Sequence, residues 1–248
     1  MYPKAGRNRN SFGLRFKMAP EMQNLPDICR QASLVLLPLA DPARAPAMKA
    51  YMKQRHDFLG IATPARRLAL KPLLATLKTA DADFLLVAAE QLWTMPEREF
   101  QYAAIDILAK FSRKLELDHV PAMLALAQQK SWWDTVDGLA GVIGDILYRQ
   151  RHSQEMEKLV DAALIHPDLW VRRIAMLHQL RWKSEVDAAR LFRFATTLAP
   201  ESDFFIRKAV GWALRDYSGH QPEAVREFVD GMADKLSPLS RREALRAM

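Results

Sequence analysis

An all-α chain built as a solenoid of helix pairs is what this sequence predicts, on three observations. From about residue 27 onward, apolar residues recur at spacings of three and four nearly everywhere, which is the stripe of amphipathic helices. Strand alternation, Asn-Gly hairpin turns and the spacing of strand-helix-strand units are not found. Segments of related pattern return at a loose period of about 33–38 residues. One helix pair per period makes an α-solenoid of HEAT-like repeats, in which each unit buries its apolar face against the next.

In chain order, TPARRLALKPLLATLK (63–78) opens with Thr63 as the expected N-cap and Pro64 at the first helical position. PEREFQYAAIDILAKF (96–111) places Phe100, Ala103, Ala104, Ile107, Leu108 and Phe111 on one face. SWWDTVDGLAG (131–141) is unusual, because Trp is costly to expose and Asp is costly to bury. Ser131 is its expected N-cap, Asp134 the partner in a short capping box, and the helix should start at about Trp132. Trp133 and Asp137, four apart, then share a face, while Trp132 points into the core. HPDLWVRRIAMLHQLRW (166–182) and SDFFIRKAVGWALRDYS (202–218) begin with cap-type residues and should each run for about four turns.

The segments VRRIA (171–175), IRKAV (206–210) and SRREA (240–244) align with one another. Their second cations, Arg173, Lys208 and Arg242, are 35 and 34 residues apart. The concave face of a curved stack collects equivalent positions, so the pairs at 172/173, 207/208 and 241/242 would form a basic stripe there. The competing reading is that such pairs merely decorate solvent-facing helices.

The formal net charge of +7 points to an anionic partner, but its distribution matters. Residues 1–20 hold five basic residues and no acidic ones, so the rest of the chain carries only +2. That stretch has no apolar signal region and reads as a flexible basic arm or an appended remnant. Residues 21–248 read as a single domain. The nearly apolar run ASLVLLPLA (32–40) is far too short to span a bilayer. A single cysteine, Cys29, allows no intrachain disulfide and no thiolate zinc cluster, which fits a reducing cytosol. The six histidines show no HExxH pair, and there is no Gly-rich phosphate loop or Gly-x-Ser-x-Gly elbow. No metal and no cofactor are therefore expected. Trp93, Trp132, Trp170 and Trp182 are expected to be structural, and His178 a packing residue.

Together, YMKQRHDFLGIATPARR, EREFQYAAIDILAKF, SWWDTVD, LWVRRIAMLHQLRWK, DFFIRKAVGWALRDYS and LSRREAL resemble the AlkD-type DNA alkylation-repair glycosylases, from about residue 45 to the C-terminus. The resemblance implies HEAT-like-repeat enzymes that remove N3- and N7-alkylated purines from duplex DNA, without needing to flip the base. It places the catalytic aspartate on Asp137, with Trp133 and Trp212 as its cleft tryptophans. It places the DNA-contacting arginine on Arg173, with Arg172 as the alternative, and a cleft tyrosine on Tyr51. Lys208 and Arg242, from the cation column, are candidate DNA contacts. The expected partner is double-stranded DNA containing alkylated purines, met by a monomer in the cytoplasm and at the nucleoid when bound. Two other readings stand beside this one. A non-catalytic repeat protein binding branched or damaged DNA would not need Asp137 between two tryptophans. A protein-binding scaffold would not need paired cations.

Overall fold

The computed structural model describes residues 27–246. The basic arm expected at 1–20 lies outside the described residues. Within them the chain is helical: α1 (Ile28–Leu36), α2 (Ala45–Tyr51), α3 (Thr63–Ala69), α4 (Lys71–Thr76), α5 (Ala82–Thr94), α6 (Arg98–Lys110), α7 (Val120–Ala127), α8 (Trp133–Arg149), α9 (Gln154–Leu164), α10 (Leu169–Leu177), α11 (Ala188–Leu198), α12 (Phe204–Ser218), α13 (Pro222–Gly231) and α14 (Pro238–Ala244). A lone parallel bridge joins Asp57 to Glu97, and no strand occurs among the described residues.

From α5 onward successive helices pack in pairs, and the second helix of each pair also packs on its successor, in the order α6, α8, α10, α12, α14. These second, inner helices begin at residues 98, 133, 169, 204 and 238, so the repeat seen in the sequence is a structural one. The stripe read in α6 is its buried face: Phe100, Ala103, Ala104, Ile107 and Leu108 are fully covered. Each large side chain among them contributes about 1.5–3 kcal/mol by leaving water. Trp93, Trp132, Trp170 and Trp182 are all buried. Trp132 packs edge-on to Phe205 and Trp170, with the Arg55 guanidinium 4.2 Å above its ring.

The expected helix starts shift by about one residue. Thr63 is the first helical residue and Ala62 stands at the cap without a side-chain bond. Ser131 does not cap α8; extended Trp132 does, and Trp133 is the first helical residue. Asp134 is drawn away from capping by a stronger partner, since it accepts two bonds from buried Arg98 and one from Tyr102. Charge-assisted bonds of this kind are roughly twice as strong as neutral ones. The expected long helix over 166–182 stops at Leu177, with Arg181 and Lys183 in the left-handed region at φ 69° and 58°. Aspartates do cap α10 and α12: Asp168 accepts from the Trp170 amide at 2.8 Å and Asp203 from that of Phe205 at 2.7 Å.

At the N-terminal end, buried Glu99 on α6 accepts hydrogen bonds from the amides of Leu59, Gly60 and Ile61 at 2.9, 2.9 and 3.0 Å. This pins the loop that follows α2. Gly60 has φ +87°, and a Cβ there would come within 2.2 Å of the Asp41 carbonyl, so the turn requires glycine.

His178 closes α10 and is 2% exposed. Its Nδ1 donates to the Ala175 carbonyl at 2.6 Å, its Nε2 has no protein partner, and Trp182 and Phe194 pack on the ring. Burial pushes its pKa down to about 4. The unfolded chain takes up this proton near the ordinary value of 6.5, whereas the folded protein does so only near 4. Stability is therefore full above about pH 6.5 and declines as the pH falls toward 4, by roughly 3 kcal/mol from this group. Urea unfolding at pH 7, 5 and 4 should show that loss, and His178→Phe should shrink it. An unchanged pH slope in the variant would assign the acid sensitivity elsewhere.

Candidate active site

Asp137 lies one turn into α8, and its side chain is 17% exposed. Arg173 reaches it from the adjacent α10, donating from Nε to Oδ1 at 2.7 Å and from Nη2 to Oδ2 at 2.8 Å. Nη1 of Arg173 donates to the Phe205 carbonyl on α12. The two residues hold the same place in successive repeats, the fifth residue of each inner helix. The full column reads Tyr102, Asp137, Arg173, Lys208 and Arg242. Burial is the largest influence on Asp137 and pushes its carboxyl above the ordinary value, while Arg173 pulls the other way. The guanidinium has five N–H groups, three of which are engaged here, so two remain for an outside acceptor.

Asp137 and Arg173 open onto a cleft of about 360 Å³. Trp133 and Trp212, both half-buried, contribute to its walls, with Phe204 at an exposed edge. Lys208, Arg215 and Glu243 complete it from α12 and α14. Glu243 is 8% exposed and accepts from Lys208 and Arg215 at 3.0 Å each. The Lys208 ammonium, aided by Arg215, holds its carboxyl below the ordinary glutamate value. A second cavity of about 410 Å³ adjoins the first, sharing Asp137 and Trp212, and is floored by Gly138 and Gly141. Tyr51, exposed at the end of α2, stands edge-on to Trp133 with ring centroids 6.0 Å apart.

The start of α8, which carries Trp133 and Asp137, is clamped to α6. Arg98 is fully buried and donates to Asp134, to the Lys130 carbonyl and to the Thr135 hydroxyl. Tyr102 donates to the same Asp134 carboxylate at 2.6 Å. Burial opposes ionisation of Asp134, but Arg98 and Tyr102 together hold its carboxyl below the ordinary value. Burial, reinforced by Asp134, pushes the Tyr102 phenol up.

Trp133, Asp137, Arg173, Lys208 and Trp212 thus meet in one cleft, with Tyr51 beside it. Arg172 does not reach the cleft. It is engaged by Glu201 at 2.7 and 2.9 Å and by the carbonyls of His166 and Pro167, so of the two alternatives Arg173 is the one that faces Asp137. Arg207 likewise ties down the Glu201 carbonyl. Arg242 is exposed on α14 and does not line the cleft. The expected stripe of paired cations is therefore split: in the pairs 172/173 and 207/208 the first cation fastens a loop and the second turns to the cleft, where an acid meets it, while the pair 241/242 stays outside. Glu243, Arg215 and the Arg98–Asp134–Tyr102 clamp were not singled out from the sequence. The only sequence signal for Arg215 is its place one turn after Trp212, and for Glu243 its place after the Arg241–Arg242 pair.

The family model of the DNA alkylation repair enzymes matches residues 32–248. The chain belongs to that family. Among solved structures, this DNA alkylation repair family member is similar to a predicted DNA alkylation repair enzyme from Enterococcus faecalis, at 33% identity, with a TM-score of 0.78 over 83% of this chain and 94% of that one. AlkD2 from Streptococcus mutans is 18% identical, with a TM-score of 0.60 over 79% of this chain and 97% of that one. The smu.31 protein of Streptococcus mutans UA159 is 17% identical, with a TM-score of 0.57 over the same shares. The last two likenesses concern the fold alone. No curated protein matches. Among the described residues of the family member, no helix is long and apolar enough to cross a membrane, and no group of three or more metal-ligating side chains is gathered.

Proposed function

We propose that this DNA alkylation repair family member is a DNA glycosylase that hydrolyses the N-glycosidic bond of cationic N3- and N7-alkylated purines in duplex DNA, without flipping the base. The observation that carries the reading is a half-buried carboxylate, Asp137, in one cleft with two tryptophan faces and three cations. Glycosidic cleavage passes through an oxocarbenium-like state, and sugar hydrolases generally need a second carboxylic acid to protonate the leaving group. A purine alkylated at N3 or N7 already carries positive charge and departs as a neutral base, so one ionised carboxylate suffices. Asp137 opposes the growing charge on the sugar and orients the attacking water. Trp133 and Trp212 flank the deoxyribose, each adding about 0.5–2 kcal/mol of cation–π attraction. The carboxylate in a partly dry cleft supplies the larger share. Arg173, with two N–H groups to spare, holds a phosphate beside the lesion while it fixes Asp137. Lys208 and Tyr51 extend the contact to either side.

The test is a panel of duplexes, each with one defined lesion, under single-turnover conditions. Release of 7-methylguanine and 3-methyladenine is expected. Uracil, 8-oxoguanine and hypoxanthine should stay, because they leave as anions unless protonated. Bulky N7 adducts should remain substrates, since the site is an open cleft rather than a closed base pocket. Efficient uracil release would overturn the dependence on lesion charge, and rejection of bulky N7 adducts would restore base flipping. A second reading, binding without excision, is favoured by one observation: both Asp137 oxygens are already occupied by Arg173. Tight binding with no base released would select it.

A further inference from the structure

The cleft holds a second carboxylate that the proposed chemistry does not use. Glu243, on α14, bridges Lys208 through Oε1 and Arg215 through Oε2, both at 3.0 Å. A carboxylate held between an ammonium and a guanidinium occupies the position that a pair of phosphodiester oxygens would take. Backbone packing builds this arrangement. A Cβ on Gly211 of α12 would lie 2.5 Å from the Glu243 Cβ and 2.8 Å from the Ser240 carbonyl, so the two helices meet at a bare glycine. Ser240 Oγ donates to the Arg207 carbonyl at 2.9 Å, and Ser237 caps α14 by accepting from the Ser240 amide at 3.0 Å. The C-terminal helix therefore presents Glu243 to the two cations of α12 at a fixed height.

We propose that Glu243 limits how tightly the cleft holds DNA, by occupying Lys208 and Arg215 so that a backbone phosphate engages them only by displacing it. This rests on the reading of the cleft as a DNA-binding site. Lys208 and Arg215 share Glu243, and Arg173 is paired with Asp137. Three cations against two acids leave the cleft only weakly positive. Undamaged duplex then gains little from counterion release there, and contacts made at the lesion decide where the protein stays. Specificity of this kind comes from withholding non-specific affinity as much as from adding contacts.

The experiment measures binding of the full chain to an undamaged duplex by fluorescence anisotropy across a salt series. Glu243→Gln keeps the shape and removes the charge. It should bind about 5–20-fold tighter at low salt, with a salt slope steeper by about 0.9 for each phosphate newly engaged. Lys208→Ala should then weaken binding more when combined with Glu243→Gln than when made alone. Glu243→Asp keeps the charge but shortens the reach, and should fall between wild type and Glu243→Gln. Unchanged or weaker binding by Glu243→Gln, with a wild-type melting temperature, would overturn the proposal. So would wild-type affinity in Glu243→Asp, because net charge rather than the bridge would then be responsible. No excision is measured, so these outcomes are independent of the glycosylase reading. Failure of the wild type to bind duplex at all would remove the DNA-binding reading of the cleft itself.

Discussion

Asp137→Asn is expected to slow release of 7-methylguanine by a factor of about 10²–10³, or roughly 2.7–4 kcal/mol in the barrier. The amide keeps the shape of the side chain and loses the charge proposed to oppose the sugar cation. Duplex affinity should not fall, because Arg173 is then relieved of its counter-charge and remains free to face a phosphate. Stability should not fall at neutral pH and should rise slightly, since burial outweighs Arg173 and the folded protein already disfavours the ionised carboxyl. Single-turnover excision, anisotropy and urea unfolding of one preparation separate the three effects. The pH profile adds a further readout: burial raises the Asp137 carboxyl above its ordinary value of 3.8, so wild-type excision should decline on acidification before that value is reached. That decline should be missing in the variant. Excision at the wild-type rate by Asp137→Asn would end the proposed role of this residue.

Arg98→Met is expected to lower the unfolding free energy by about 3–5 kcal/mol, although Arg98 touches no part of the cleft. Its guanidinium is fully buried and makes four hydrogen bonds at 2.7–2.9 Å, to both Asp134 oxygens, Thr135 and the Lys130 carbonyl. Methionine fills much of the volume but leaves the Asp134 carboxylate, whose side chain is 6% exposed, with Tyr102 as its remaining side-chain donor. Removing the charge as well, in Arg98→Met with Asp134→Asn, should recover part of the loss, because an uncompensated buried charge is worse than none. Denaturant unfolding measures both. Excision should slow in parallel, since the clamp fixes the turn of α8 that carries Trp133 and Asp137. A single variant within about 1 kcal/mol of wild type would show that α8 is held by apolar packing alone.

The sequence by itself determined the repeat, the inner helices and the pairing of Trp133 with Asp137. These depend on local rules: amphipathic spacing, caps, and the geometry that puts residues four apart on one face of a helix. It also separated Trp132 from Trp133 correctly, although the structure does so with Trp132 as the extended cap of α8 rather than as a helical neighbour. Chain-local rules did not decide which residue partners which. Ser131 and Asp134 have the spacing of a cap, yet a buried guanidinium from 36 residues earlier draws the carboxylate away from the helix end. Arg172 and Arg173 are indistinguishable by pattern. Their different roles follow from α12 and the loop before it, which bring Glu201 to one, while α8 brings Asp137 to the other. Glu243 is brought to the cleft by the close approach of α14 at Gly211. Partner choice among charged side chains is set by desolvation and by packing between segments far apart in the chain, so it exists only once the solenoid has formed.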